Sequence, residues 1–362
     1  MMGRSHWRSM AYSQGVPLRS GKPWGTGGKG ELALVARIRA RAGDARAGEL
    51  RLGIGDDAAL IRVRAGEELA VTTDLSIAGR HFQLGWHSPE AIGHRTLARG
   101  LSDLAAMGAR PIAAFLSLGL PRELAGGWLD GFLDGFLALA EPHRISLAGG
   151  DLSESPVMIA DIVLTGAVTR GKALLRSGAR EGDLVYVTGS LGGAAAGLAR
   201  LEELAVGRRR GELDPAGARG LRIPAGLKLE LAPHLFPRPR IAQGLWLARR
   251  SRATAAIDLS DGLSTDLAHL CEESEVAAEV DAAQLAIHPG ATLSQALNGG
   301  EDYELLFTAP ATARLGQGIG GVAVTRIGRV TRARRGRPRI LLRTAAGVEA
   351  LAPEGWEHFS RG

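Results

Sequence analysis

Aspartates recur between residues 56 and 261 of this chain, each set among small residues. They occur in Gly53-Ile-Gly-Asp-Asp57, Thr72-Thr-Asp74, Leu101-Ser-Asp103, Gly149-Gly-Asp151 and Ile257-Asp-Leu-Ser-Asp261, and an acidic cluster, Gly299-Gly-Glu-Asp302, follows nearer the C-terminus. Carboxylates are costly to crowd together unless a cation sits between them. Small neighbours let the backbone approach a bulky ligand closely. The pattern therefore points to a fold that gathers distant segment ends where divalent metal and phosphate meet. No lysine is followed by Ser or Thr, so a Walker A loop is absent. Phosphate charge must then be met by metal, backbone amides and arginines.

At 362 residues the chain is long for one hydrophobic core, and two domains are expected. The longest apolar runs, residues 111–121 and 156–168, are too short to cross a bilayer, so no membrane partner is expected. The single cysteine, Cys271, excludes an internal disulfide and fits a reducing cytosol, which predicts a cytoplasmic location. It falls in a helical stretch and reads as a buried, inert thiol. The formal charge of +6 invites a nucleic-acid reading. Only Lys22, Lys29, Lys172 and Lys228 are lysines, however, and the basic runs at Arg208-Arg-Arg210 and residues 332–339 lack interleaved aromatics for base stacking. They read as solvated loops, and no nucleic acid is expected. Residues 1–30 contain no acidic residue and no amphipathic pattern, so residues 1–29 read as a disordered or over-extended tail outside the fold.

Apolar spacing predicts a first helix over residues 31–42 and β-like stretches near 60–63 and 69–75. A long helix over 89–107 takes Ser88 as N-cap and Gly108 as stop. Strands are predicted at 112–120, 145–148 and 157–168, with a helix at 127–140. In the second half, strands are predicted at 183–188, 255–259, 278–280, 303–308, 322–327 and 340–343, and helices at 193–204, 261–271 and 291–297. Residues 206–221 read as an exposed loop. Strands and helices mixed in both halves predict an α/β (α+β) chain of two domains, residues 30–170 and 171–362.

Taken singly, the motifs leave alternatives open. Residues 53–58 match G-x-G-x-x-A, but Asp56 and Asp57 would face a pyrophosphate across the very amides meant to bind it. Adjacent acids make sense if Mg²⁺ bridges them to phosphate oxygens, or if they simply form a turn. Thr72-Thr-Asp74 offers hard oxygen donors or a strand-terminating turn. Asp103, in an apolar helix, lies on a solvated face or points at a cation. Gly149-Gly-Asp151 is a ligand loop or a plain turn, and the glycines at 189–193 cradle phosphate or permit close packing. Helix capping explains Asp261 well and Asp258 poorly, and Asp266 reads as a surface residue. His81 is a structural histidine or a substrate contact. There is no His/Cys zinc pattern and no supported Ser/His/Asp constellation. Jointly, the acids favour a Mg²⁺–nucleotide site.

Read in order, the motifs closely resemble the thiamine-monophosphate kinase family of the aminoimidazole-ribonucleotide synthetase-like superfamily. The resemblance runs from Gly30-Glu31 through residues 53–58, Thr72-Thr-Asp74, Gly79-Arg-His-Phe82, residues 101–109 and Gly149-Gly-Asp151. It continues through Arg176-Ser-Gly-Ala179, residues 257–263, residues 299–305 and Gly355-Trp-Glu-His-Phe359. It implies the two-domain superfamily fold, with N-terminal domains pairing into a β-barrel in a homodimer. It implies ATP-dependent phosphorylation of thiamine monophosphate to thiamine diphosphate, with several Mg²⁺ ions and ATP as co-substrate. Position by position, Asp57, Thr72, Thr73, Asp74, Asp103, Asp151, Asp258 and Asp261 would be metal ligands. Gly150, Asp151, Arg176 and Ser260 would contact ATP, and His81, Glu301 and Trp356 the thiamine phosphate. No side chain would act as a catalytic acid or base, because the chemistry would be electrostatic and metal-based. The chain departs from the family at Leu152-Ser153, usually Thr-Thr, at Gly100, commonly Asn, and in its first thirty residues, which have no counterpart. Competing expectations are another ATP-dependent synthetase of the superfamily and an Arg-rich nucleic-acid binder.

Overall fold

The computed structural model describes residues 31–43, 48–206, 220–250 and 252–356. The expected N-terminal tail, the run Arg208-Arg-Arg210 and residues 357–359 of the last motif lie outside them, as does most of the expected loop at 206–221.

The first half runs α1 (Glu31–Ala42), β1 (Leu50–Leu52), β2 (Leu60–Ile61), β3 (Glu67–Ile77), α2 (Pro89–Ala106), β4 (Arg110–Leu120), α3 (Gly127–His143), β5 (Ser146–Gly149), β6 (Leu152–Glu154) and β7 (Ile159–Thr169). β1 and β2 form a small antiparallel pair. The main sheet has the order β3-β7-β4-β5, with β6 also pairing β4. β3 and β7 are antiparallel along their whole length, from Glu67 opposite Thr169 to Ile77 opposite Ile159. α2 begins as expected: Ser88 accepts from the Ala91 amide at 3.3 Å, and Pro89 occupies the first turn. α2 and α3 meet backbone to backbone, because a Cβ on Gly93 would lie 1.9 Å from the Phe132 carbonyl oxygen.

The second half continues β8 (Leu184–Thr188), α4 (Gly193–Leu204), α5 (Lys228–Leu235), α6 (Ile241–Arg250), β9 (Ala255–Asp258), α7 (Leu263–Glu273), β10 (Val276–Asp281), α8 (Leu293–Asn298), β11 (Leu305–Ala309), β12 (Gly318–Ile319), β13 (Val322–Arg332), β14 (Ile340–Thr344) and β15 (Gly347–Ala350). The sheet order is β15-β14-β10-β13-β8-β11-β9, with β12 beside β13. β10 and β14 are parallel, and the other pairs are antiparallel. One core packs α7 and α8 against this sheet through Val185, Ile257, Leu267 and Leu306. A second core joins the halves: Ala256, Leu305 and Phe307 of the sheet meet Leu101 and Leu104 of α2 and Leu247 of α6. α2 is therefore buried between both sheets, which is why its sequence is apolar and small on nearly every side.

Three sequence expectations change. α5 and α6 were not foreseen: α5 carries Pro233 in its interior, and α6 is short. Asp261 does not cap α7; its N-cap is Gly262, which makes no side-chain cap bond. Asp266 is buried rather than on the surface. Its carboxylate turns back over the start of α7 and accepts from the amides of Ser260, Asp261 and Gly262 at 3.1, 3.1 and 3.0 Å. Burial, then the charges of Asp258 and Asp261, push it up to about 8.

Candidate active site

The site is assembled on α2. Helical periodicity puts Arg95, Arg99 and Asp103 on one face, one turn apart. Each reaches a different segment. Arg95 holds the two Glu301 carboxylate oxygens at 2.7 and 2.8 Å, from the loop before β11. Arg99 pairs with Asp74 of β3 at 3.0 Å. Asp103 accepts a hydrogen bond from the Thr72 hydroxyl, and its neighbour Ser102 donates to buried Asp258, at the end of β9, at 2.6 Å. Thr72, Asp74, Asp103 and Asp258 thus converge from both halves of the chain.

Strand alternation explains why Thr72 and Asp74 act together: two residues apart on β3, they share the face turned to α2. Thr73 lies on the opposite, exposed face with Val71 and Leu75. Burial pushes Asp103 up to about 7, helped by the charges of Asp258 and Asp74 and opposed by the Thr72 hydroxyl and Arg176. Burial also raises Asp258, which Ser102 and Arg176 oppose. Burial raises Asp74 as well, despite Arg99 beside it. The positive charge of the exposed Arg176 thus acts on both carboxylates.

The acidic cluster near the C-terminus divides its labour. Glu301 and Tyr303 are both in the left-handed backbone region, at φ 66° and 50°. Such residues cost roughly 1–3 kcal/mol each and persist where the surroundings over-determine them. Here the Glu301 amide donates to Ser260 O at 2.8 Å and the Tyr303 amide to Leu259 O at 2.9 Å, pinning the loop to residues 258–261. Asp302 accepts from the amides of Gly192 and Ala194 at 2.5 and 3.0 Å and so caps α4. Glu304 is buried between Thr188 and Arg240, each at 2.6 Å. Only Glu301 faces the site. Its pKa is lowered: burial raises it, but Arg95 and Arg99 outweigh burial.

Trp356 comes to the same place, its amide donating to Asp261 O at 3.1 Å, with its side chain about half exposed. His81 Nδ1 accepts the Ile77 amide at 3.0 Å, which leaves the ring proton on Nε2. Asp57 and Asp151 are exposed and take no part in the α2 contacts. Gly150 has a structural reason to be glycine: at φ 145° its Cβ would lie 1.8 Å from Leu116 O.

Among the described residues, no group of three or more His, Cys, Asp or Glu side chains is placed to hold a metal ion as it stands. The donor set nevertheless suits a hard cation. Asp74, Asp103 and Asp258 offer carboxylate oxygens whose charged forms are penalised by burial and by one another. Sequence reasoning missed Arg95, Arg99 and Ser102. The four-residue spacing of Arg95, Arg99 and Asp103 was the available signal.

Comparison with known proteins matches both halves. Family models described as AIR synthase related protein, N-terminal domain and C-terminal domain cover residues 55–169 and 180–340. The chain therefore carries the N-terminal and C-terminal domains of the AIR synthase related class. The curated thiamine-monophosphate kinase of Escherichia coli (strain K12) is 40% identical over 314 residues, covering 83% of this chain and 90% of its own. The crystal structure of thiamine-monophosphate kinase from Stenotrophomonas maltophilia K279a is 39% identical with a TM-score of 0.72, covering 86% and 96% of the two chains. A structure described as AaThiL complexed with AMPPCP and TMP is 29% identical with a TM-score of 0.69, covering 91% and 97%. The chain belongs to the thiamine-monophosphate kinase family.

Proposed function

We propose that this chain transfers the γ-phosphoryl group of ATP to thiamine monophosphate, giving thiamine diphosphate and ADP. The observation that carries the reading is the meeting of Thr72, Asp74, Asp103 and Asp258 across both halves, where burial disfavours the charged carboxylates and a hard cation would relieve that cost. Membership of the family supports the substrate pair, as does the relative described with AMPPCP and TMP.

The acceptor is itself a phosphate, so no general base is required. The barrier is repulsion between two anions. Asp57, Thr72, Asp74, Asp103, Asp151, Asp258 and Asp261, with Thr73 through its backbone oxygen, would hold magnesium, which would supply the positive charge that two approaching phosphates need. Gly150, Asp151, Arg176 and Ser260 bind ATP, with Arg176 adding fixed positive charge beside the carboxylates. His81, Glu301 and Trp356 bind thiamine monophosphate. An ionised Glu301 and an indole face suit its cationic thiazolium ring. The transfer is direct, without a phosphoenzyme.

The same reading includes a homodimer. β3 is a sheet edge, and its outer face exposes Leu69, Val71 and Leu75 at 47%, 57% and 45%. Natural sheets rarely leave such an edge uncovered. A cytoplasmic location accords with the lone thiol of Cys271, and no helix among the described residues is long and apolar enough to cross a membrane.

Purified protein given Mg-ATP and thiamine monophosphate should form thiamine diphosphate and ADP in equal amounts, with inversion at a chiral γ-phosphate. A folded protein that makes no thiamine diphosphate would overturn the activity, and stereochemical retention would overturn direct transfer alone.

A further inference from the structure

A single guanidinium ties together three segments that are remote in sequence. Arg95 is almost wholly buried, with a side-chain exposure of 6%. Its Nη1 donates to the backbone oxygen of His234, at the end of α5, and to His234 Nδ1 at 3.2 Å. Its Nη2 donates to both Glu301 oxygens and to the backbone oxygen of His81 at 3.3 Å. With Nδ1 accepting, His234 must donate through Nε2, and it meets His87 Nε2 at 2.9 Å. His87 Nδ1 in turn lies 3.1 Å from the Gln83 amide nitrogen and 3.2 Å from Gln83 O. Because Arg95 can only donate, His234 Nδ1 carries no proton in this arrangement, and His234 is neutral. Burial and the positive charge of Arg95 push both pKa values down, His87 to about 3.

The arrangement has a direction. Glu301 keeps a side-chain exposure of 26%, whereas Arg95 and His234 behind it are at 6% and 2%. The carboxylate thus faces outward on a buried support, and the His81 segment hangs from the same nitrogen. We infer that Arg95 is a positioning residue that holds Glu301 and the His81 segment in one register, so that thiamine monophosphate meets both at once. The inference rests on the reading that His81 and Glu301 contact thiamine monophosphate. A lysine cannot take over this task, because one ammonium on a flexible stem does not span three acceptor groups in a fixed fork.

The test uses the full-length Arg95→Lys, Glu301→Gln and doubly substituted enzymes, with thermal midpoints to confirm folding. Arg95→Lys should raise KM for thiamine monophosphate about tenfold, while KM for ATP and kcat stay within about twofold, the pattern of lost ground-state binding. Glu301→Gln should raise the same KM. The double variant should be no worse than the poorer single one, since both changes break one unit. If Arg95→Lys does not fold, His234→Leu carries the test: it removes one acceptor of the guanidinium and should raise that KM about threefold, again sparing ATP. If Glu301→Gln weakens thiamine monophosphate but Arg95→Lys (or its substitute) does not, the inference fails and the substrate contact stands. If Glu301→Gln leaves KM unchanged, the contact reading fails and the inference falls with it. Fully additive effects, or equal losses for both substrates, also overturn the inference.

Discussion

Asp103 illustrates how a single residue can oppose stability while serving a site. Its carboxylate lies beside Asp258 and Asp74 with little water to screen it, and is pushed up to about 7 by that burial and those charges. Asp103→Asn keeps the shape and an acceptor for Thr72 but removes one crowded charge. Without magnesium, the variant's thermal midpoint should equal or exceed that of the wild type, as expected where function strains a fold. The rise in midpoint produced by Mg-ATP should be lost, and turnover should fall about 100-fold or more. A wild-type-like response to Mg-ATP would remove Asp103 from the ligand set. The importance of Asp103 was legible from Leu101-Ser-Asp103 and its resemblance to a family motif. Its surroundings were not, because the Thr72 hydroxyl comes from 31 residues away along the chain, and Asp258 lies 156 residues beyond the Ser102 that binds it. Asp266 shows the reverse error. In sequence it is an acid one turn into a helix, where exposure is the ordinary expectation. Only the backward path of residues 260–262 supplies three amides to bury it.

At the scale of elements, α2 does most of the positioning. Its limits were readable because Ser88, Pro89 and Gly108 are local stereochemical signals. Its surroundings were not readable, because they depend on how closely other backbones approach. Gly93→Ala tests this. Alanine is the better helix former by about 1 kcal/mol, yet its methyl group would sit 1.9 Å from the Phe132 carbonyl oxygen of α3. Net destabilisation of about 2–3 kcal/mol is expected from denaturant midpoints, as for an overpacked core. A stabilised variant would show that α2 and α3 do not meet backbone to backbone. α5 and α6 escaped prediction for a related reason. Pro233 reads as a helix stop, whereas in the fold Pro233 is accommodated near the end of a short, packed turn of helix. His234 beside it becomes part of the support for Arg95.

For the whole molecule, the outer face of β3 is the feature on which the proposed homodimer rests. Leu69, Val71 and Leu75 alternate with Ala70, Thr72 and Asp74, so one strand carries an exposed apolar stripe and a site-facing stripe back to back. Val71→Asp should leave the first stripe unable to associate. Light scattering after gel filtration should show a dimer for the wild type and a monomer for the variant, with a lower thermal midpoint at equal concentration. A monomeric wild type would remove the homodimer. The sequence by itself determined the local and compositional facts: a two-domain α/β chain, the start of α2, the order of the acidic motifs and, through their resemblance, the family. Only the tertiary structure decided which acids crowd together, which merely cap helices as Asp302 does, and which arginines stand behind them. A short motif encodes which donors are offered. Burial, spacing and partners arise only when the folded backbone brings separate segments within hydrogen-bonding reach.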